Sequence, residues 1–476
     1  MEDNTEQQKA KISPKVVFKS GMWYVISTFL FRAIAFFTTP VIARVLTKGQ
    51  YGYFNNMKSW VGFIGIATAC DLDTSIVRAK LDFEEDLDSY SLSVMTLQSV
   101  LTLAIFAVFT IFSGPISSFM EIDAKYFPII FANLLFSQCY AVYITNERAN
   151  YRYKTYSITT GVMISAYSIL SVILVLNMEN KLDAVVIGNY LPYIIVGAIF
   201  AILIIKRGKR IKFHYFKYAL MISLPLVPHV LSLILLQSSD RIMITKLQGE
   251  TYTALYSLSS IIPNIVAVLL SSMNQAWAPW FLDTMKVGDR KTIYRVASLY
   301  FGLFLILTTG VLLLTPEAVY ILGGKKYLAG IYVAPPLIVG TVLQFAYSMY
   351  VQVEFYEKKM RTVAFATAIA AAVNIGLNFI LIPIFGYAAA GYTTLAGYMA
   401  LFLLHYRTIC KFGYKNIFNR KVIFGGLLLS IALIPVIIWL YGHRFIRYGV
   451  VVAYMILLIC VFYKNREYVK RFIKLK

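Results

Sequence analysis

The sequence predicts an all-α integral membrane protein with about fourteen transmembrane helices, and three observations predict it. Of 476 residues, 59% are hydrophobic and only 14% charged, where soluble domains carry roughly 25% charged residues; the mean hydropathy is +0.68. The apolar runs are continuous and about 20 residues long, enough to cross hydrocarbon as helices, without the ten-residue alternation of a β-barrel. The loops between them alternate in positive charge, so the net charge of +22 reads as membrane topology and not as nucleic-acid binding.

In order, the spans are expected at Met22–Arg44, Phe54–Val77, Ser91–Phe112, Phe127–Ile144, Ile158–Leu176, Ala184–Ile205 and Ala219–Thr245. The second set is Ala254–Phe281, Val296–Thr315, Ile331–Val351, Val363–Ile384, Tyr387–Tyr406, Val422–Leu440 and Tyr448–Tyr463. Of the 45 Lys and Arg residues, 33 fall on one side with the two tails, 8 on the other, and Arg32, Arg44, Lys58 and Arg241 within or at the edges of spans. By the positive-inside rule both termini are expected in the cytoplasm, with the chain in the inner membrane. The polar N-terminus shows no small-residue cleavage site, so the first span is expected to be retained. Cys70, Cys139, Cys410 and Cys460 lie in or beside apolar runs and read as small buried hydrophobes.

Paired landmarks suggest an internal repeat. Phe18-Lys19 matches Phe216-Lys217, the stretch after Glu147 matches that after Glu354, and Gly188-Asn189-Tyr190 matches Gly391-Tyr392-Thr393, at offsets of 198, 207 and 203 residues. The expected organisation is a cytoplasmic tail (1–21), a six-helix lobe (22–205), a basic cytoplasmic linker (206–218) and a second six-helix lobe (219–406). A final helix pair (407–463) and a basic tail (464–476) follow. Six is even, so the lobes run parallel, a transporter design with a central cavity and alternating access.

Polar residues inside spans mark the candidate site, since a charge at a helix centre costs roughly 2.5–3.5 kcal/mol on insertion scales. Arg32 sits near the middle of the first span, facing a cavity or held in a buried ion pair. His229, Gln237, Asp240 and Arg241 form a stripe on the seventh; Asn264, Ser271 and Gln275 lie on the eighth; Asn374 and Asn378 are one turn apart on the eleventh. Asp71 and Arg78 are expected to share a helical face, as a structural or a gating pair. Glu147-Arg148 and Glu354 end the fourth and tenth spans, as surface salt bridges or as a gate between lobes. Pro40, Pro225 and Pro228 can bend the first and seventh spans. His214, His229, His405 and His443 are scattered, and a satisfied structural role is expected of each. No catalytic motif and no metal-ligand spacing occurs.

Several stretches together resemble bacterial polysaccharide (O-antigen and capsule) flippases. They are Pro40-Val41-Ile42-Ala43-Arg44-Val45-Leu46 through Tyr51-Gly52, Asp240-Arg241 after Gln237, and Asn374 to Asn378 followed by Ile382-Pro383 through Gly391. The resemblance spans essentially the whole chain and places it in the multidrug/oligosaccharidyl-lipid/polysaccharide exporter superfamily. It implies a flippase moving an undecaprenyl-pyrophosphate-linked oligosaccharide from the inner to the outer leaflet, with Arg32, Arg44 and Arg241 meeting pyrophosphate or acidic sugar. Arginine suits bidentate phosphate contact. It further implies work beside a polysaccharide polymerase and a chain-length regulator, with no cofactor and with H+ or Na+ as possible coupling ions. The alternatives are a cation-coupled drug exporter, for which mid-span carboxylates are too sparse, and a peptidoglycan-precursor flippase. A membrane polymerase or ligase is disfavoured by the short outer loops.

Overall fold

The computed structural model describes residues 38–150 and 152–464, and among them every regular element is helical. Arg32, most of the first expected span and the tail from 465 lie outside the described residues. Nine helices are long and apolar enough to cross a membrane, or eleven if two bent pairs each count as one span. Those counts are of the described residues.

The chain divides into two compact units, Met1–Ala254 and Leu255–Lys476. In the first, a helical stretch over 38–45 leads to α1 (Lys48–Ala69). Its start is written in the sequence: the Thr47 hydroxyl accepts from the Gln50 N–H at 3.2 Å, and the Thr47 N–H donates to the Gln50 side chain at 3.0 Å. This reciprocal cap satisfies donors that a helix end leaves orphaned. Next come α2 (Ser75–Asp82), α3 (Leu87–Ile111), α4 (Ser113–Met120), α5 (Phe127–Ala149), α6 (Tyr153–Asn177) and α7 (Lys181–Arg207). The unit continues with α8 (Phe213–Ser223) and α9 (Val227–Gln248), and α9 packs along α1.

Two expected spans are broken. The second was expected unbroken over Phe54–Val77, but Cys70 and Asp71 take left-handed backbone angles (φ 45° and 52°) and α1 and α2 diverge by 55°. The break is eased because the freed Ala69 carbonyl accepts from Gln98 Nε2 at 3.1 Å, and a backbone group with a partner is spared the cost of lying bare in a membrane. Asp71 and Arg78 therefore share no continuous helical face. Arg78 pairs with Asp82 at 3.4 Å instead, an exposed contact one turn away, and Asp71 accepts from the Thr74 hydroxyl. The seventh span breaks where its prolines sit: α8 and α9 meet at 54° across Leu224–Leu226, which contains Pro225, and Pro228 occupies the first turn of α9. Proline carries no N–H and fits a first turn, where none is needed.

The second unit carries the end of α10 (Glu250–Ser259), α11 (Ile261–Val287), α12 (Arg290–Gly323), α13 (Ala334–Tyr356), α14 (Met360–Phe385), α15 (Ala389–Lys411), α16 (Arg420–Gly442) and α17 (Arg444–Lys464). At 34 residues α12 is far longer than its expected span, Val296–Thr315. α13 is the centre of this unit, packed by α11, α12, α15 and α16. Nineteen of its 23 residues are buried. α15 fits closely beside it because position 391 is glycine: a Cβ there would lie 2.9 Å from Pro336 Cγ and 3.0 Å from the Val333 carbonyl.

Candidate functional site

In the first unit, polar side chains from the 38–45 stretch, α1, α6 and α7 gather around a cavity of about 130 Å³ lined by Thr38, Thr39, Tyr51, Asn55, Lys58, Tyr167, Ser168, Ser171 and Asn189, among others. Two of these are tied down: Asn55 Nδ2 donates to the Tyr51 carbonyl at 2.7 Å, and Asn189 Nδ2 to Ser171 Oγ at 3.0 Å. Lys58 is the cation of this wall. It lies ten residues along α1 from Lys48, about 15 Å into the helix at 1.5 Å per residue, with its ammonium 5.6 Å from the Phe54 ring centroid.

Arg241 on α9 faces the same helix and lies in electrostatic range of both Lys58 and Tyr51. Its Nη1 donates to the Gln237 carbonyl at 3.2 Å, one turn back. Two basic side chains in range of each other, one of them lining a polar cavity, offer an anion its binding contacts. Of the expected stripe, Gln237 is exposed, His229 and Arg241 are half-buried, and Asp240 is buried. Arg44 is exposed near the end of the 38–45 stretch. Sequence reasoning left Lys58 among the span-edge charges. The signal that identifies it was present: a lysine ten residues inside a helix whose start is marked by a capping box.

In the second unit, Asn374 and Asn378 are fully buried and bonded into one chain across α14 and α15. Asn374 Nδ2 donates to Thr394 Oγ1 at 3.2 Å, Asn378 Nδ2 to Asn374 Oδ1 at 3.4 Å, and Thr393 Oγ1 to Asn378 Oδ1. Asn264 and Gln275 are exposed on α11. Their neighbour Asn274, which the spacing passed over, accepts from the Ser348 hydroxyl at 3.1 Å.

The two carboxylates at span ends are not surface salt bridges. Glu147 is 1% exposed and meets Arg207 at 2.6 Å and Arg152 at 3.1 Å. The Arg207 guanidinium also lies over the Tyr143 ring at 5.1 Å. Arg148, expected beside it, is exposed. Glu354 is wholly buried; its carboxylate meets His405 Nδ1 at 2.6 Å and accepts from the Thr362 hydroxyl. Each carboxylate finds these partners inside its own unit. Sequence reasoning gave His405 a satisfied structural role. Its Nδ1 has Glu354, but its Nε2 is buried without a hydrogen-bond partner. The four cysteines are free, Cys139 buried and Cys460 exposed.

A family model described as "Polysaccharide biosynthesis protein" matches residues 17–285. An uncharacterized membrane protein of Methanocaldococcus jannaschii, MJ1068, is 23% identical over 453 residues, covering 88% of this chain and 89% of its own. Among solved structures, the chain resembles the lipid II flippase MurJ in an inward closed conformation (TM-score 0.70, 16% identity, 92% of this chain and 98% of that one). It also resembles the Vibrio cholerae MATE transporter VcmN in its bent form (TM-score 0.55, 13% identity, 87% and 97%). The fold is the one found in transporters of the MOP superfamily.

Proposed function

The chain belongs to the polysaccharide biosynthesis protein family, and from that premise we propose that it is a flippase for an undecaprenyl-pyrophosphate-linked oligosaccharide. It carries this cargo from the inner to the outer leaflet of the cytoplasmic membrane by alternating access, with both termini cytoplasmic and no catalytic chemistry of its own. The observation that carries the reading is Lys58 in the wall of a polar cavity, with Arg241 in electrostatic range of it. A pyrophosphate bears the negative charge such a pair attracts, and a glycan offers hydroxyls to the Thr, Ser, Tyr and Asn side chains around it. A cationic drug would meet repulsion there.

Arg32 and Arg44 join this site in the proposal. The gradient that drives transport and the company of a polymerase and chain-length regulator belong to the same reading. A peptidoglycan precursor is the second cargo considered, favoured by the likeness in fold to a lipid II flippase.

The test is a deletion strain complemented with variants. Loss of the protein is expected to leave a lipid-linked oligosaccharide in the inner leaflet, and its extraction identifies the glycan. Lys58→Met and Arg241→Gln, each expressed at wild-type level in the membrane, are expected to reduce surface polysaccharide at least tenfold, about 1.4 kcal/mol of lost interaction. Accumulation of a peptidoglycan precursor would replace the first cargo with the second, and full complementation by both variants would remove the site.

A further inference from the structure

A carboxylate taken wholly out of water needs a positive partner, a proton or hydrogen-bond donors, because an isolated buried charge costs several kcal/mol. Glu147 has two guanidiniums, which stay charged at every physiological pH. Glu354, among the described residues, has no Lys or Arg within ion-pair distance. Its nearest cation is conditional: the imidazole of His405, 1% exposed, on α15.

The groups facing the pair are few. From α13 itself Tyr347 stacks on the imidazole, ring centroids 5.6 Å apart and planes 17° from parallel. From α14 comes the Thr362 hydroxyl. The α13–α14 turn offers only the Lys359 N–H, bonded to the Glu354 carbonyl at 2.9 Å. Glu357 accepts from Tyr414 at 2.6 Å, and Arg420 of α16 lies over Tyr406 at 5.7 Å; Lys358, Lys359, Arg361 and Arg407, the cations nearest in sequence, are exposed.

We propose that Glu354 and His405 form a proton-binding site, and that the proton it exchanges is the one coupled to cargo movement. The coupling clause rests on the flippase reading; the binding clause does not. In the unprotonated state the imidazole is neutral and its Nδ1–H donates to the Glu354 carboxylate. The Nε2 lone pair is then the unfilled acceptor, which is why that buried nitrogen has no partner. A proton arriving from water forms an Nε2–H bond and turns carboxylate plus imidazole into carboxylate plus imidazolium. The net charge of the pair rises from −1 to zero and no other bond changes. Thr362 holds the carboxylate in place through both states. An arginine in its position would hold its proton permanently.

The experiment uses full-length protein in detergent. Protons released on stepping from about pH 5 to about pH 8 are counted with a soluble indicator dye, for wild type and for the Glu354→Gln/His405→Asn double variant. Wild type is expected to release about one proton per chain more than the variant. Equal release overturns the site. Should the double variant not fold, Thr362→Val serves. Removing its hydrogen bond destabilises the bare carboxylate and is expected to raise the midpoint of release by about half a pH unit or more, and an unmoved midpoint overturns the proposal. Coupling is read in cells: surface polysaccharide made by wild type is expected to fall several-fold on adding a protonophore, and that made by His405→Asn to be insensitive. Equal sensitivity overturns the coupling while the dye count still decides the site. A deletion that leaves polysaccharide export intact overturns the flippase reading alone.

Discussion

Glu147 and Glu354 stand at corresponding places in the two units, and the chain treats them oppositely. The correspondence is visible in the backbone. The N–H five residues on donates to each glutamate carbonyl at 2.9 Å, from Arg152 in one unit and Lys359 in the other. One turn earlier lies a tyrosine against a phenylalanine, Tyr143 with Phe200 and Tyr350 with Phe402. Around this shared frame the first unit places two arginines and the second a histidine and a threonine. A repeat thus preserves the geometry of a helix end while leaving the partners of its carboxylate free to vary. One copy is a fixed clasp and the other a titratable one.

The largest effect that separates them is expected at Glu147. Glu147→Gln leaves two guanidiniums facing each other without their anion. Removing one member of a fully buried pair costs 3–5 kcal/mol; with Arg152 and Arg207 partly exposed and so partly screened, the loss is expected to be about 2–3 kcal/mol. Glu354→Gln strands no permanent cation and is expected to cost about 1 kcal/mol, a neutral hydrogen bond weakened. Thermal unfolding in detergent measures both, and equal losses would erase the distinction between clasps.

The repeated glycines come next. A Cβ at Gly188 would lie 2.4 Å from Ser171 Cα, where only backbone movement makes room, while at Gly391 the nearest atom is Pro336 Cγ at 2.9 Å. Gly188→Ala is expected to destabilise by about 2–3 kcal/mol and Gly391→Ala by about 1, within the range of core overpacking. The reverse order in unfolding midpoints would show that the first unit adjusts more readily than the second.

The smallest effect tests the neighbourhood of Glu354. Hydrogen bonding to Glu357, helped by burial, pushes the Tyr414 phenol up to about 12. A raised value means the bond favours the protonated phenol, so its contribution is complete below about pH 10, the ordinary tyrosine value, and disappears as pH rises through about 12. Tyr414→Phe is expected to cost less than about 1 kcal/mol in this part-exposed setting, with the difference from wild type vanishing in strong alkali. It should leave the proton count untouched; a changed count would draw Glu357 into the pair's chemistry.

The helical architecture was legible because lipid enforces it: continuous apolar runs and charge-sorted loops follow from the solvent and not from distant contacts. The break in the seventh span was legible as well, marked by Pro225 and Pro228. The break at Cys70–Asp71 was not, since neither residue is glycine or proline and the carbonyl it frees is met by Gln98, 29 residues on. The same holds for the site. Arg241 could be picked out as a charge in an apolar run, but the pairing of His405 with Glu354 joins residues 51 apart. A histidine shows its role only when the second nitrogen is seen to be empty.

The helix α15 carries one more consequence. With three tyrosines, three threonines and two glycines, it is not among the described helices apolar enough to cross a membrane by themselves. Its buried face is satisfied by neighbours that leave the ribosome first, α13 and α14. The energetics of biogenesis follow: α15 gains little from entering lipid alone and much from entering beside α14. The order of synthesis becomes part of the fold, and shortening the link between α14 and α15 stresses membrane insertion before it stresses transport.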